Sequence, residues 1–363
     1  METEFLKSIC RRFFPGADIT DAEQIHNGHI NLTYRFAADG RDYILQRINT
    51  DIFRDAAGLM HNVCAVTSFL REKIAAAGGD PDRETLTVVK TADGKDFLCD
   101  ESGVYRVYLY ITGAKCFDRA ERKGMFGESA KAFGRFQNLL AEFDASVLNE
   151  TIKDFHNTPK RFENFERALA ADKAGRSKGC ERETGFYLAR KTYCPLITRR
   201  LANGRLPTRV THNDTKLNNV MIDEQTGRGV CVIDLDTVMP GSMLYDFGDS
   251  IRFGASSAAE DEKDLSKVYC VPELYAEYAE GFVSEMRSAI TPEEIKLLHD
   301  GAIMMTLECG MRFLTDWLEG DVYFRTSYEG QNLDRARTQM KLVADMENRR
   351  EVFEKIIKNA VNK

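Results

Sequence analysis

The chain has 363 residues, 43% of them hydrophobic and 29% charged, and a net charge of −7. That length predicts two domains, or one domain of two lobes, because single cores usually stop growing below it. The negative balance argues against a phosphate backbone or an anionic membrane as the main partner, while leaving room for a small anion held by local cations.

Nine cysteines are scattered without a CxxC pair, which predicts reduced thiols and a cytoplasmic protein. No basic-then-apolar leader stands at the start, and no apolar run approaches the ~18 residues that span a bilayer.

In chain order, "INLTYRF" (30–36), the Gly-containing turn in "AADGRD" and "YILQRI" (43–48) predict strand, turn and strand. "AAGLMHNVCAVTSFLREKIA" (56–75) has helical spacing. "ETLTVV" (84–89), "FLCD" (97–100) and "VYRVYLYI" (104–111) predict three further strands. About five strands and one helix therefore make a small β-rich N-lobe over 1–111, followed by a connector at 112–117. From 118 to 363 helical periodicity dominates, as in Phe126, Ala130, Phe133, Gln137, Leu140 and Phe143. The charged stretch 153–183 has no strand signal and is expected at the surface. One hairpin interrupts the helical half: "VMID" (220–223), a turn, and "VCVIDL" (230–235). The fold class is α+β, a small antiparallel lobe followed by a larger, mainly helical one.

The hairpin follows directly on "THNDTKLNN" (211–219). Its spacing, His212-x-Asp214-x-Lys216-x-x-Asn219 with Asp234 on the return strand, is that of a kinase catalytic loop. Phosphoryl transfer needs a carboxylate to hold the proton of the acceptor hydroxyl, which suits Asp214. A cation near the γ-phosphate stabilises developing charge, which suits Lys216. Magnesium takes hard oxygen ligands, and Asn219 and Asp234 supply them; the hairpin is expected to bring the two together. The bland alternative is a solvated polar loop with Asp234 as a strand-end cap. Asp236 either touches a second metal or begins the turn, and His212 is expected to orient the loop rather than react.

"THNDTKLNN…VCVIDLDTVMPGSMLYDFGDSIRFG" resembles the aminoglycoside phosphotransferase and choline kinase superfamily. "NGHINLTYRF" (27–36), "YILQRIN" (43–49), "FHNTPKR" (155–161), "GMRFLTDWLEGDVYF" (310–324) and "NLDRARTQMKLV" (332–343) are similar, in order, to its N-acetylhexosamine 1-kinase subfamily. The resemblance implies a two-lobed protein-kinase-like fold and phosphorylation of the anomeric hydroxyl of N-acetylglucosamine or N-acetylgalactosamine, with ATP as donor and Mg2+. It also implies that Asp214 is the base, that Asn219 and Asp234 are metal ligands, and that Arg312 and Tyr323 contact the sugar.

The sugar side can be read independently. "TPEE" (291–294) offers a threonine N-cap, a proline at the first helical position and a glutamate three residues on. Ile295, Leu298, Ala302, Met305 and Cys309 then form one apolar stripe, and Arg312 and Asp316 are the next positions on it. The two form an ion pair one turn apart, or the stripe emerges into a polar cleft and they meet a ligand. Asp316 is expected to fix Arg312 in place. In "YDFGDSIRFG", Asp246 reads as an N-cap of the next helix, and Arg252 either pairs with Asp249 or faces the acceptor.

The nucleotide side departs from the kinase pattern. "NGHINLTYRF" is a weak glycine-rich loop, in which Gly28, His29 and Asn31 are expected to meet the nucleotide. Gln46 and Arg47 stand where kinases place the phosphate-binding lysine, and their alternation along a strand allows only one to face the cleft. The helix over 56–75 offers no well-placed glutamate partner. His26 and His29 form HxxH without a third ligand, against a zinc site. Two rival functions remain at this point: the same chemistry on another sugar, an amino alcohol or an aminoglycoside, and a catalytically dead kinase-like binding protein.

Overall fold

Asp39 and Gly40 both have positive φ, 49° and 78°, the two-residue turn that matches the twist of an antiparallel pair. In the computed structural model, which describes residues 2–25 and 30–363, this turn sets Ala38 opposite Arg41. Around it, β1 (Ile19–Ile25), β2 (Leu32–Ala38), β3 (Arg41–Arg47), β4 (Val88–Val89), β5 (Leu98–Asp100) and β6 (Gly103–Leu109) form one antiparallel sheet. The order is β1-β2-β3-β6-β4, with β5 also paired to β6. The sheet has one more strand than the sequence suggests, because β1 is a polar edge in which only Ile19 is buried. The expected strand over 84–89 shrinks to Val88–Val89. Asp80 and Pro81 start a helical turn instead, with the Asp80 carboxylate accepting from the Asp82 N–H.

Helix α1 (Glu2–Cys10) closes one face of this sheet, where Leu6, Ile9 and Cys10 join Phe36, Leu45, Tyr105 and Val107 in a buried cluster. Helix α2 (Ala56–Ala76), N-capped by Asp55, brings Met60 to Arg106 of β6; the short turn after it is α3 (Pro81–Glu84). By its contacts the chain forms two units. The first is Met1–Cys116 with Glu142–Ile152 and Val220–Pro240, and the second is Phe117–Ala141, Lys153–Asn219 and Gly241–Lys363. The first unit holds the expected hairpin, Val220–Asp223 with Gly229–Val232, and Ala114–Lys115 adds a third strand to it.

The second unit contains α4 (Met125–Leu139), α5 (Thr158–Ala171), α6 (Glu181–Leu188), α7 (Leu196–Ala202), α8 (Met243–Gly254), α9 (Pro272–Met286), α10 (Pro292–Glu319), α11 (Gln331–Asn348) and α12 (Arg350–Asn362). Helix α10 is its axis, packed against α5, α8 and α11. Two glycines let α8 and α10 meet closely: a Cβ on Gly248 would lie 2.3 Å from the Gly301 carbonyl oxygen. The helix begins with the capping box its sequence predicts, Thr291 with Glu294. Glu294 also receives Arg209 at 2.6 Å, so one buried carboxylate serves cap and ion pair together. Among the described residues, no helix is long and apolar enough to cross a membrane.

On α10 the buried His299 ring lies between the Tyr275 hydroxyl, 3.2 Å away, and the Met346 carbonyl oxygen at 3.1 Å. Burial pulls this imidazole down from its ordinary 6.5 to about 4. The folded protein keeps it neutral while the unfolded chain takes up a proton. Its contribution to stability is therefore complete above pH 6.5 and is lost as the pH falls toward 4. The loss is on the order of 3 kcal/mol. Urea unfolding at pH 7 and pH 4.5 should show a smaller pH difference in H299L than in the parent; an equal difference would contradict a neutral buried ring.

Candidate functional site

The loop that carries "THNDTKLNN" has an irregular backbone, with Asn213 in the left-handed region at φ 67°. One carboxylate holds it. Asp246, fully buried on α8, accepts the N–H of His212 at 2.9 Å, the N–H of Asn213 at 2.8 Å and the side-chain amide of Gln137 at 2.6 Å. The same helix turn also accepts the Thr215 hydroxyl on the Asp246 carbonyl, and Ser250 donates to the Thr215 carbonyl. Burial raises the Asp246 carboxyl above its ordinary range, a rise that His212 and the donated N–H groups limit. This overturns the reading of Asp246 as a helix cap. Ser242, in an extended conformation, caps α8, which leaves Asp246 inside the first turn to reach the loop.

His212 is buried, with its ring edge-on to Phe133 and Phe136, and the Asp214 N–H approaches its Nδ1 at 3.3 Å. Asp214 is partly exposed and stands between two groups. Lys216 Nζ lies 2.8 Å from its Oδ1, and Asn219 Nδ2 lies 3.2 Å from its Oδ2. Asn219 Nδ2 also donates to the Asp214 carbonyl at 2.8 Å, which fixes the amide so that Oδ1 is its acceptor atom. Burial works against the Lys216 ammonium, but Asp214 and Asp249 outweigh it and raise its pKa above the ordinary 10.5. Arg252 pairs with Asp249 at 2.9 Å and with Glu260 at 2.8 Å, which resolves its two readings in favour of the pair.

In the first unit, the return strand ends at Val232 and Asp234 follows in the left-handed region, φ 57°. Asp236 neither starts a solvated turn nor stands open to a second metal: it is buried and paired with Arg106 at 2.6 Å. Burial opposes the charge on Arg106, and Asp236 more than restores it. The Arg106 guanidinium also donates to Gln46 Oε1 at 3.0 and 2.8 Å, and Gln46 donates on to Thr33. Asn31 donates to Asp236 at 2.6 Å and accepts the Asn49 N–H at 2.9 Å. Gln46 thus faces inward and Arg47 lies exposed on the opposite side. The expected free amides at Asn31 and Gln46 are already engaged. Gly28 and His29 lie outside the described residues.

On α10, Arg312 lies over the rings of Phe155, Tyr323 and Phe324 at 5.9, 5.7 and 5.3 Å, and its Nη2 is 3.5 Å from the Tyr323 hydroxyl. Asp316 does not hold Arg312. It accepts the backbone N–H groups of Val322, Tyr323 and Phe324 at 2.8–2.9 Å, and the Asn332 side chain at 2.8 Å. Its role is to fold the segment that carries Tyr323, a residue that is 69% exposed. These residues line a cavity of about 360 Å³ with Arg161 and Asn164 of α5.

The model of the phosphotransferase enzyme family matches residues 21–281. The chain belongs to that family. Solved structures with the same fold include a microcompartment-associated aminopropanol kinase (18% identity, 96% of this chain and 98% of that one, TM-score 0.60). An aminoglycoside phosphotransferase from Alicyclobacillus acidocaldarius is 12% identical over 98% and 96%, with TM-score 0.58. Choline kinase from Cryptosporidium parvum is 15% identical over 98% and 97%, with TM-score 0.54. The superfamily is therefore the one that the catalytic-loop motif indicates, and the fold is kinase-like.

Sequence reasoning on this phosphotransferase missed Arg106, the anchoring role of Asp246, and a buried triad in which Glu308 accepts from His156 (2.8 Å) and Thr158 (2.6 Å). The signal for Arg106 was present: a lone cation inside "VYRVYLYI" needs a buried partner.

Two tests follow from these contacts. D246N keeps the shape but turns an NH2 group toward one or two of the three donors. The expected loss is about 2–4 kcal/mol in urea unfolding, with phosphoryl transfer down by more than about tenfold; full activity would rule out the anchor. R106M should cost about 3–5 kcal/mol by stranding the Asp236 charge, and R106M/D236N should recover most of it. A double variant no more stable than R106M would deny the pair.

Proposed function

We propose that the phosphotransferase moves the γ-phosphoryl group of ATP to the anomeric hydroxyl of an N-acetylhexosamine, N-acetylglucosamine or N-acetylgalactosamine, releasing ADP and the sugar 1-phosphate. Asp214 takes the hydrogen bond of the attacking hydroxyl and orients it. The anomeric hydroxyl is more acidic than an ordinary alcohol, so positioning and charge stabilisation carry most of the rate. Lys216, now on Asp214, is long enough to shift to the transferring phosphoryl group and stabilise its charge.

The donor set fits Mg2+: the Asn219 amide is fixed with Oδ1 as acceptor by its bonds to Asp214, and Asp234 adds a carboxylate, both hard oxygen ligands. Bound there, the ion would neutralise phosphate charge. The nucleotide phosphates are assigned to Gly28 and His29 of "NGHINLTYRF", with Arg47 at the end of β3. Asn31 and Gln46 act one step back, tied to Asp236 and Arg106.

The observation that carries the acceptor is the cavity at Arg312. A guanidinium over three aromatic rings, beside the Tyr323 hydroxyl, suits a ring with hydroxyl and amide oxygens. Asp316 shapes that wall through the backbone of 322–324. Aminopropanol and choline, the acceptors named for two fold neighbours, carry positive charge and would meet a cation here. A catalytically dead binding protein would have no use for Asp214, Lys216 and both metal ligands together.

ADP release from Mg–ATP over a panel of free sugars, amino alcohols and aminoglycosides tests the reading. Turnover is expected on N-acetylhexosamines, falling about 10²–10⁴-fold in D214N. Turnover confined to amines would sink the sugar assignment, and none on any acceptor would sink the enzyme.

A further inference from the structure

The cavity between α5 and α10 carries more positive charge than a neutral sugar requires. Its lining includes Arg161, Arg167, Lys173 and Arg312 against two carboxylates, Asp316 and Glu319. Asp316 is already spent on three backbone N–H groups and Asn332. This excess stands out in a chain whose net charge is −7. Among the described residues, neither Arg161 nor Arg312 has a carboxylate within ion-pair distance, although both are partly buried. The two cations are close enough for Arg312 to add to the burial that disfavours the charged form of Arg161.

Both guanidiniums are also held in place before any ligand arrives. Arg161 donates through Nε and Nη2 to the Phe155 carbonyl at 3.3 and 3.1 Å. Arg312 is framed by the Phe155, Tyr323 and Phe324 rings. Glu308 offsets part of the charge on both guanidiniums, and Asp154 part of that on Arg161, but both Glu308 oxygens are already taken by His156 and Thr158. An anion between the two cations would convert their remaining repulsion into charge-assisted hydrogen bonds. Because neither side chain must be ordered on binding, little entropy opposes the gain. At about 360 Å³ the cavity lies at the small end of ligand sites, a size for one sugar ring or its substituent rather than an oligosaccharide.

We propose that this cavity is the anion end of the acceptor site: the acceptor is a sugar that bears a carboxylate, sulfate or phosphate group, and Arg161 and Arg312 clamp that group. The assignment rests on the reading that Arg312 and Tyr323 face the acceptor.

The test has two arms. Calorimetry without nucleotide measures inorganic sulfate binding to the parent, R161Q and R161K, with thermal melts to confirm folding. Kinetics compares kcat/KM for N-acetylglucosamine, its 6-O-sulfate, its 6-phosphate and N-acetylmuramic acid in the same three proteins. Sulfate should bind, weaken about tenfold or more in R161Q and return in part with R161K. At least one anionic acceptor should exceed the neutral sugar by about tenfold, and that ratio should collapse in R161Q. Sulfate binding that ignores Arg161 would overturn the anion site. Arg161-dependent sulfate binding with no anionic acceptor above the neutral sugar would overturn the link to the acceptor. If no sugar of either kind turns over while sulfate binding still needs Arg161, the anion site is supported and the sugar reading fails instead.

Discussion

The geometry of the loop over 211–219 depends on one carboxylate. Asp246 takes two consecutive backbone N–H groups, those of His212 and Asn213, and the Gln137 amide. Consecutive amides can converge on one acceptor only if the backbone between them turns back, and Asn213 supplies the turn at φ 67°. Asp214 is the next residue, so its direction follows from a bond made by a helix rather than from its own contacts. Gln137 bonds the Val210 carbonyl as well, so α4 fixes the loop's entry while α8 fixes its bend. A buried carboxylate that accepts three N–H groups is satisfied without a cation.

Elsewhere charges are buried as pairs, some linking distant segments and some local. Arg209 with Glu294 joins the strand before the catalytic loop to the start of α10. Arg252 with Asp249 and Glu260 sits beneath Lys216, which Asp249 helps keep charged. Such pairs add little net stability over a hydrophobic equivalent, but losing one partner is expensive. Their effect is to allow one arrangement and penalise the rest.

Much of this was legible and some could not be. The Asp39-Gly40 turn, the α10 capping box and the helical second half are local patterns, and local patterns are what periodicity reports. The family was legible because "THNDTKLNN" and the hairpin after it place particular side chains at fixed spacing. β1 was invisible because "ITDAEQI" is an exposed edge with no apolar alternation. Asp246 and Asp316 were each assigned a neighbour's job, a cap and an arginine partner. Both instead bind backbone N–H groups, donors that every residue carries and no sequence pattern displays. The partners of Arg106 lie 60 and 130 residues away, beyond any spacing rule.

Arg106 also changes what the absent lysine means. A lysine on β3 would offer one ammonium to the nucleotide, with a pKa that burial can depress. Here the fixed cation of the first unit lies one strand over, on β6, and its guanidinium contacts Gln46 of β3 and Asp236 at once. Asp236 in turn accepts from Asn31, the residue before β2. A charge so buried is poorly placed to touch phosphate. What it does is join β3, Asn31 at the start of β2 and the segment two residues after Asp234 into one hydrogen-bonded body. These segments are thereby held together without a lysine–glutamate pair, by a cation that stays charged at any pH the fold survives.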